Sequence, residues 1–558
     1  MIAWTAEQEA ILQILERSDL HRIAIVAHAG TGKTTVLEEL GKRFQERGSL
    51  LFLVSTHQAQ AFVHEHLPAP IEVKTFSDLA QDALLGCEEV PQWSLAQLRT
   101  VIAPQIDRFG TLYADDVQQW IREYCYQPGD EPWRPWAQRR AQELDAAPVH
   151  DRLEALIEDG CTIWAACEAR PQTLPYLPEM ILKRFVQSHL PHPYQLIIVD
   201  EAENANPIMQ QWLALQEVPQ IMATDPAGAI EDYGDAPDIL QALSPDQVFA
   251  LSASFRLAEG ASERATRIMN WRASRPALVG LGSCEVKVQD SIVGRRPLTL
   301  IARYNMSLLE KMIDISMAYH STFLYFYWDA SGLWQDVNSA YRLWARERGF
   351  SWTWQGERWT NYHEWLQKMT AAKNREALTL ATLIKKHGRR LPVIMQQVQN
   401  QIVDTIEPTT VILSTAENAR GREWDMVQIL DDFTPLPQLS WSYGTRRQTR
   451  QHALTPQQAA YEVHLLYLAM TRARRTLWIP SVVENWLAPD WQTFYDEVLS
   501  AQQRALWNLH EDYEQTAAQI VQGGKWQADE LVEAWTAMQR HWRDWSGGLP
   551  WPGHETWE

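Results

Sequence analysis

Short apolar runs alternate with helical stretches along the first half of the chain. Residues 22–27 (RIAIVA) and 50–55 (LLFLVS) are apolar almost throughout, which is typical of strands buried on both faces of a parallel sheet. A helical pattern lies between them, over about residues 33–46. Runs of the same kind recur at residues 195–199, 220–223 and 248–251. This alternation predicts an α/β fold with a parallel sheet.

A second strand series begins at residues 298–302 (LTLIA) and 322–327 (TFLYFY). It resumes at residues 411–414, 427–430 and 476–479. Two stretches without strands, rich in helical patterns, interrupt the two series. We therefore predict a first α/β domain of residues 1–79 and 191–250, a helical insertion of residues 80–190, a second α/β domain of residues 251–331 and 401–480, a small helical insertion of residues 332–400, and a helical, Trp-rich C-terminal tail of residues 481–558.

A glycine-rich segment, AHAGTGKT, follows the first predicted strand at residues 27–34. Gly30 and Gly32 permit backbone N–H groups to turn around phosphate oxygens. Lys33 supplies a positive charge for the outer phosphates, and Thr34 offers a hydroxyl to a magnesium ion. A tight turn without a ligand is the alternative, which the intact GKT disfavours. We expect this loop to bind ATP through Ala29, Gly30, Thr31, Gly32, Lys33, Thr34 and Thr35.

An acidic segment, VDEAEN, follows another apolar run at residues 199–204. Asp200 is expected to hold Mg²⁺ together with Thr34, and Glu201 to orient or deprotonate the attacking water. The alternative is a pair of acids in a solvated loop. The preceding strand favours the first interpretation, because it places both acids at the carboxyl edge of the sheet, where ligands bind in open α/β folds.

Further segments occur in a fixed order along the chain. They are Thr5, Glu7 and Gln8 in WTAEQEAIL, VKTFSD at 73–78, TDPAGAIEDYGDA at 224–236, LSASFRL at 251–257, LSTAENARGREWD at 413–425 and LLYLAMTRARR at 465–475. Together they resemble the motifs of UvrD/Rep-type superfamily 1 DNA helicases, over about residues 1–480. The chain is most similar to the helicase part of F-box DNA helicases, in SFRL, ARGREWDMVQILDDF and LLYLAMTRARRTLWI. The residues ahead of the glycine-rich loop are too few to hold an F-box.

This resemblance implies two RecA-like P-loop NTPase domains, each with a parallel sheet and a mainly helical insertion. It also implies that Arg256 and Arg472 stabilise the γ-phosphate during hydrolysis, with Arg472 expected at the start of a helix. Gln8 would contact adenine and Phe255 would stack on it, while Glu423 would lie near the ribose or the phosphates. The alternative for each arginine is a surface salt bridge, and its place inside a longer motif favours the catalytic role.

The resemblance places nucleic-acid contacts at Thr56 and His57, at Thr75, Phe76 and Ser77, and at Tyr233. Tyr233 could stack on a base at about 1–3 kcal/mol, or it could be a core residue. Two basic clusters could bind phosphates, although such clusters are more often solvated faces. They are Lys385, Lys386, Arg389 and Arg390, and Arg446, Arg447 and Arg450.

Several positions depart from the family pattern. Family members have DEAQ where this chain has DEAE with Glu203, and a Gln where it has Gly228. In the HxxKGLE segment this chain has ENARGRE, with Glu417 and Arg422, and it has His57 and Gln58 where an Asn and a Lys are usual. The residues for hydrolysis are complete, whereas the changes fall on residues that couple ATP to DNA. ATP hydrolysis is therefore expected, and strand separation is left open.

The formal net charge of −20 argues against a protein that coats DNA electrostatically, so a local track is required. We see no apolar run long enough for a bilayer and no signal peptide, and we expect a cytoplasmic protein. The main hypothesis is a DNA helicase or translocase that moves along single strands, 3′ to 5′, in repair or recombination. DNA is favoured over RNA. The rivals are a translocase that strips proteins from DNA and an ATP-gated scaffold, with partners at the C-terminal tail and the oligomeric state left open.

Overall fold

The computed structural model describes residues 4–17, 21–68, 71–86, 113–143, 150–169, 178–225, 239–270, 277–291, 294, 297–319, 322–326, 328, 330–354, 357–436 and 455–487. The chain forms two compact units. One contains residues 1–255 and 355–357, and the other contains residues 256–354 and 358–558.

The first unit is built on a parallel sheet of six strands in the order β3-β2-β4-β5-β1-β6. Its strands are β1 (Arg22–Ala27), β2 (Leu50–Val54), β3 (Glu72–Thr75), β4 (Leu196–Val199), β5 (Gln220–Thr224) and β6 (Gln247–Leu251), and a short β7 (Ala253–Ser254) follows. The central strands β2, β4 and β5 are buried along their whole length, as their continuous apolar sequence predicts.

Helices cover both faces of this sheet. They are α1 (Ala6–Leu12), α2 (Lys33–Phe44), α3 (His57–His66), α4 (Phe76–Leu85), α5 (Tyr113–Tyr126), α6 (Trp133–Glu143), α7 (His150–Ala169), α8 (Pro178–Ser188), α9 (Pro207–Ala214) and α10 (Ile239–Leu243). Successive residues of β2 point to opposite faces. Leu50 and Phe52 pack in the core with α1, α2 and α3, whereas Leu51 and Leu53 pack in the core that includes α4 to α9.

Aromatic residues fill the core of the inserted helices α5 to α8. The Tyr124 ring lies 5.3 Å from that of Trp133, 5.4 Å from that of Trp136 and 5.0 Å from that of Trp164, measured between centroids. The Trp133 indole N–H donates to the carbonyl of Ile157 at 3.0 Å. These tryptophans therefore have a packing role.

The second unit also has a parallel sheet of six strands, in the order β11-β14-β10-β15-β16-β9. The strands in this half of the chain are β8 (Val279–Gly280), β9 (Glu285–Val288), β10 (Leu298–Ala302), β11 (Phe323–Phe326), β12 (Trp352–Trp354), β13 (Glu357–Trp359), β14 (Thr410–Thr415), β15 (Trp424–Ile429) and β16 (Ala473–Ile479). Two parallel six-stranded sheets with helices confirm the predicted fold class and are consistent with two RecA-like domains.

The helices of the second unit are α11 (Glu259–Asn270), α12 (Asn305–Ala318), α13 (Ser331–Trp344), α14 (Tyr362–Ala371), α15 (Arg375–His387), α16 (Leu391–Gln399), α17 (Pro456–Met470) and α18 (Ser481–Leu487). The stretch from α13 to α16 shares a core with β10 and β14. It also contains strand β12, in which Trp352 and Trp354 are buried on either side of an exposed Thr353. Within the described residues, no helix is long and apolar enough to cross a membrane.

Gly160 in α7 provides a test of the packing of the inserted helices. A Cβ at this position would lie 1.9 Å from Cζ2 of Trp133, so Gly160→Ala must displace a buried indole. We expect the free energy of unfolding of the first unit to fall by about 1–3 kcal/mol in urea denaturation.

Gly332→Ala in α13 is the matched control, since nothing lies within 4 Å of its added Cβ. Alanine favours helix, so this variant should be as stable as the wild type or slightly more stable. Equal urea midpoints for Gly160→Ala and the wild type would contradict the packing described here.

Candidate functional site

The glycine-rich loop joins β1 to α2 in a turn that requires glycine. Gly30 has a φ of 74° and Gly32 a φ of 82°, both in the left-handed region that disfavours residues with a side chain. Gly32 is the cap residue of α2, whose first N–H groups face the end of the helix without intrahelical partners. A loop of this shape is suited to an anionic ligand such as a phosphate.

Gln8 and Phe255 flank this loop. The Gln8 Nε2 donates to the carbonyl of Thr31 at 3.3 Å, and its Oε1 accepts from the N–H of Thr5 at 3.1 Å. The backbone N–H of Phe255 donates to the carbonyl of Gly30 at 2.8 Å, and its side chain is 47% exposed. The structure thus brings both predicted base-contacting residues to the loop, with the Gln8 amide bonded to protein.

Thr34 and Asp200, the two expected metal ligands, are in contact. The Thr34 hydroxyl donates to Oδ2 of Asp200 at 2.6 Å, and the N–H of Glu201 donates to Oδ1 of Asp200 at 2.9 Å. Burial and the neighbouring charge of Glu201 raise the pKa of Asp200 to about 6, against the opposing effect of the Thr34 hydrogen bond. A hydroxyl and a carboxylate are hard oxygen donors, which suit Mg²⁺ when phosphates supply further ligands.

Glu201 is held in a strained conformation. Its φ is 51°, which is unusual for a residue with a side chain and is often found at functional sites. The Ser55 hydroxyl and the Asn204 amide, the latter at 3.2 Å, both donate to its Oε2. Ser55 and Asn204 were not predicted. Ser55 follows β2, so the shared carboxyl edge of parallel strands is the signal that could have found it.

Lys33 is bound within its own loop. Its Nζ donates to the carbonyls of Ala27 and His28 at 3.0 and 3.2 Å and lies 3.8 Å from Oδ2 of Asp225. Asp225 is 5% exposed, and its Oδ1 lies 3.6 Å from Nδ1 of the buried His28. His28 and Asp225 therefore belong to the site, although the sequence did not single out either one.

Arg256 and Arg472, predicted from separate motifs, meet at Thr471 in the second unit. The Arg256 guanidinium pairs with Glu423 and donates to the carbonyl of Thr471 at 2.8 Å. Arg472 donates through Nη2 to the Thr471 hydroxyl at 3.0 Å and through Nε to the carbonyl of Leu468 at 3.0 Å. The structure therefore brings together three residues predicted from separate motifs.

The expectation that Arg472 begins a helix is wrong. Helix α17 ends at Met470 with Thr471 as its cap, and β16 starts at Ala473. Arg472 thus lies on the turn from helix to strand. The apolar run LLYLAM forms the last turns of the helix, because its residues pack into the core of the unit, where Tyr467 is fully buried.

Glu423 is surrounded by cations. Burial alone would raise its pKa, but Arg256 and Arg472 hold the pKa of this carboxyl below its usual range. Arg474 adds a further hydrogen bond, from its Nε to Oε2 of Glu423 at 3.1 Å. The ionised carboxylate of Glu423 therefore pairs with Arg256 and Arg474 and attracts Arg472.

The residues predicted to contact nucleic acid differ in accessibility. Thr56 and His57 are exposed at the start of α3, where Thr56 caps the helix. Ser77 is exposed, whereas Thr75 caps α4 and Phe76 is buried with its ring 5.9 Å from that of Trp212. A contact through the Phe76 side chain is excluded in this conformation.

The first predicted basic cluster is exposed, Glu417 is paired with residues of its own unit, and the remaining predicted positions lie outside the described residues. Lys385, Lys386, Arg389 and Arg390 are exposed around the end of α15. Glu417 accepts from Nη1 of Arg303 at 3.2 Å and from the Tyr461 hydroxyl, so its charge is paired within the second unit. Tyr233, Gly228, Arg446, Arg447 and Arg450 lie outside the described residues.

The two parallel sheets, with a phosphate-loop turn on the first, place the chain in the RecA-like class of folds. It is 23% identical to F-box DNA helicase 1 of Gallus gallus over 526 residues, which is 87% of this chain and 50% of that protein. It is 20% identical to F-box DNA helicase protein 1 of Schizosaccharomyces pombe over 529 residues, 85% of this chain and 57% of that protein. The resemblance predicted from the motifs is confirmed.

The chain spans about half the length of these curated relatives. No protein-family model matches it. Among solved structures it is similar to the PRRSV helicase, with 9% identity and a TM-score of 0.31 over 85% of this chain and 54% of that one.

The Glu423 cluster makes a testable contribution to stability. Glu423→Gln removes the negative charge that attracts Arg256 and Arg472. We expect the free energy of unfolding of the second unit to fall by about 1–3 kcal/mol at neutral pH. Because the folded pKa of Glu423 is depressed, this contribution is present above the unfolded pKa of about 4.5 and is lost as the pH falls below it. Urea denaturation at several pH values measures the difference.

Glu347→Gln is a suitable control, because it breaks an exposed ion pair with Arg342 in the same unit. Its stability should stay close to that of the wild type. A Glu423→Gln protein with the stability of the control at neutral pH would show that the cluster contributes nothing.

Proposed function

We propose that this chain is an ATP-dependent DNA helicase or translocase of superfamily 1, of the UvrD type. The observation that carries the proposal is the contact between Thr34 and Asp200 beside the glycine-rich loop, with Glu201 held at the same sheet edge. These residues provide a metal site and a general base next to a phosphate-binding turn. The similarity to DNA helicases over 87% of the chain supports DNA as the partner.

ATP hydrolysis would use the residues of the first unit in distinct roles. The N–H groups at the start of α2 would bind phosphate oxygens, and Lys33 would leave the carbonyls of its loop for the outer phosphates. Thr34 and Asp200 would hold Mg²⁺, which supplies charge neutralisation on the phosphates when bound. Glu201 would accept a proton from the attacking water. Gln8 and Phe255 would contact the adenine ring.

Arg256 and Arg472 would stabilise the negative charge that develops on the γ-phosphate. Their fixed hydrogen bonds support this role, because pre-oriented donors need little rearrangement during the reaction. Glu423 would lie near the ribose or the phosphates and would keep the two guanidinium groups in place. A lone salt bridge is a poorer explanation, since the three residues come from three separate motifs.

Single-stranded DNA is the proposed track, with movement from 3′ to 5′ in repair or recombination. Exposed Thr56, His57 and Ser77 follow β2 and β3 and are candidates for phosphate contacts. Tyr233 remains a candidate for base stacking. The formal net charge of −20 fits a local contact surface better than a broad electrostatic one. We further propose that the protein acts in the cytoplasm.

The ATPase rate with and without single-stranded DNA tests the proposal. We expect stimulation by DNA for the wild type, and a loss of about 10²–10³-fold in kcat for Lys33→Ala, because a charge on the reacting phosphates is removed. Lys42→Ala, in the last turn of the same helix, is the control and should retain wild-type activity. A wild-type rate that DNA does not change would contradict a motor.

A tailed duplex separates the helicase from the second candidate, a translocase that strips proteins from DNA. The pairing of Glu417 with Arg303 and Tyr461 favours the second candidate. Glu417 belongs to a motif that couples ATP to DNA in the family, and here its carboxylate is bonded to residues of its own unit. A helicase should release the short strand of a duplex with a 3′ tail. A translocase should displace streptavidin from biotinylated single strands and leave the duplex intact. If the Glu201→Gln protein loses its ATPase activity but still performs the cellular role, the chain acts as an ATP-gated scaffold.

A further inference from the structure

A fourth carboxyl group, that of Glu203, lies near Lys33, in addition to those of Asp200, Glu201 and Asp225. Glu203 belongs to the short 3-10 helix Ala202–Asn204 that follows β4. Its Oε2 accepts the backbone N–H of Asp225, at the end of β5, at 2.9 Å. Within the described part of the chain its Oε1 has no hydrogen-bond partner. One oxygen of this carboxyl is therefore fixed, whereas the other makes no hydrogen bond to the described residues.

The charges around Glu203 are mostly negative. Glu201 comes from the same loop, and Asp225 comes from the end of β5. Lys33, at the start of α2, is the cation that acts on Glu203 among the described residues, and Nδ1 of His28 lies 3.6 Å from Oδ1 of Asp225. A bound nucleoside triphosphate would bring further negative charge into this pocket.

These surroundings favour a bound proton on Glu203. Burial raises the pKa of Glu203 to about 8, with Glu201 and Asp225 adding to the rise and Lys33 opposing it. At neutral pH the group is therefore mostly a neutral acid. A neutral carboxyl has one acceptor oxygen and one O–H donor, which is the hydrogen-bonding pattern of a carboxamide. Neutral acids with this function are known in apolar sites.

We propose that Glu203 acts as a neutral acid whose carbonyl oxygen is fixed by the Asp225 N–H and whose hydroxyl donates a hydrogen bond to the terminal phosphate of the bound nucleotide. The inference rests on the proposed ATP hydrolysis and adds a binding residue to that site. Loss of the proton would convert this donor into a carboxylate. The carboxylate and the phosphate would both be negatively charged and would repel each other.

The consequence is a dependence on pH with a defined sign. Below a pH of about 8 the proton is present and the hydrogen bond can form. As the pH rises through this value the proton is lost, and kcat/KM for ATP should fall by up to about tenfold per pH unit. Glu203→Gln has a donor at every pH and should remove this alkaline fall.

The experiment compares the ATPase of the full chain with single-stranded DNA from about pH 6.5 to about pH 9.5. Relative to its own rate at neutral pH, Glu203→Gln should show no fall as the pH rises. Glu203→Ala should lose about 10–100-fold at neutral pH, and it should show no alkaline fall because it has no proton to lose. Glu376→Gln is the matched control, since Glu376 also accepts a backbone N–H, that of Asn305 at 3.2 Å, and also has a raised pKa, but in the second unit. It should keep the wild-type profile.

An infrared difference spectrum between wild type and Glu203→Gln gives a readout that needs no turnover. The C=O stretch of a protonated carboxyl group should be present at neutral pH and disappear as the pH rises through about 8. Absence of this band, or an alkaline fall that persists in Glu203→Gln, would overturn the proposal. If the band is present but the protein hydrolyses no ATP, the proposed function is wrong, whereas the assignment of a proton to Glu203 is retained.

Discussion

Parallel pairing of β1 between β5 and β6 is the constraint on which the first unit depends. The register sets Ile25 beside Ala223 and beside Phe249, so that the three strands end at the same edge. Every strand of a parallel sheet delivers its following residues to that edge. The glycine-rich loop, the acids after β4 and Asp225 after β5 therefore meet in one pocket, although nearly two hundred residues separate them in sequence.

The pocket that results has an excess of negative charge. Asp200, Glu203 and Asp225 lie near Lys33, Glu201 lies beside Asp200, and the pKa values of Asp200 and Glu203 are raised. Such an arrangement is costly to leave without a cation, because buried carboxylates repel one another. A divalent ion and a retained proton are two ways of relieving this repulsion, and the proposed mechanism uses both of them.

The second unit has the opposite charge balance, since two arginines, Arg256 and Arg472, both bond to Thr471. Glu423 pairs with Arg256, and Thr471 accepts hydrogen bonds from both Arg256 and Arg472. The ion pair reduces repulsion between the guanidinium groups and limits their motion. Fixed donors of this kind are the form in which electrostatic stabilisation of a reaction is most effective.

The sequence by itself determined the fold class and the two strand series. It also identified Lys33, Thr34 and Asp200 as candidate residues of a nucleotide-binding site. Continuous apolar runs and a glycine-rich turn are local signals, so they can be interpreted without neighbours. Edge strands β3 and β9 were missed, because each alternates or is mostly exposed. Only the tertiary structure decided that Phe76 is buried, that Arg472 lies on the turn between a helix and a strand, and that Ser55, His28 and Asp225 join the site. These facts depend on packing and on strand order, which bring together residues that no local pattern connects.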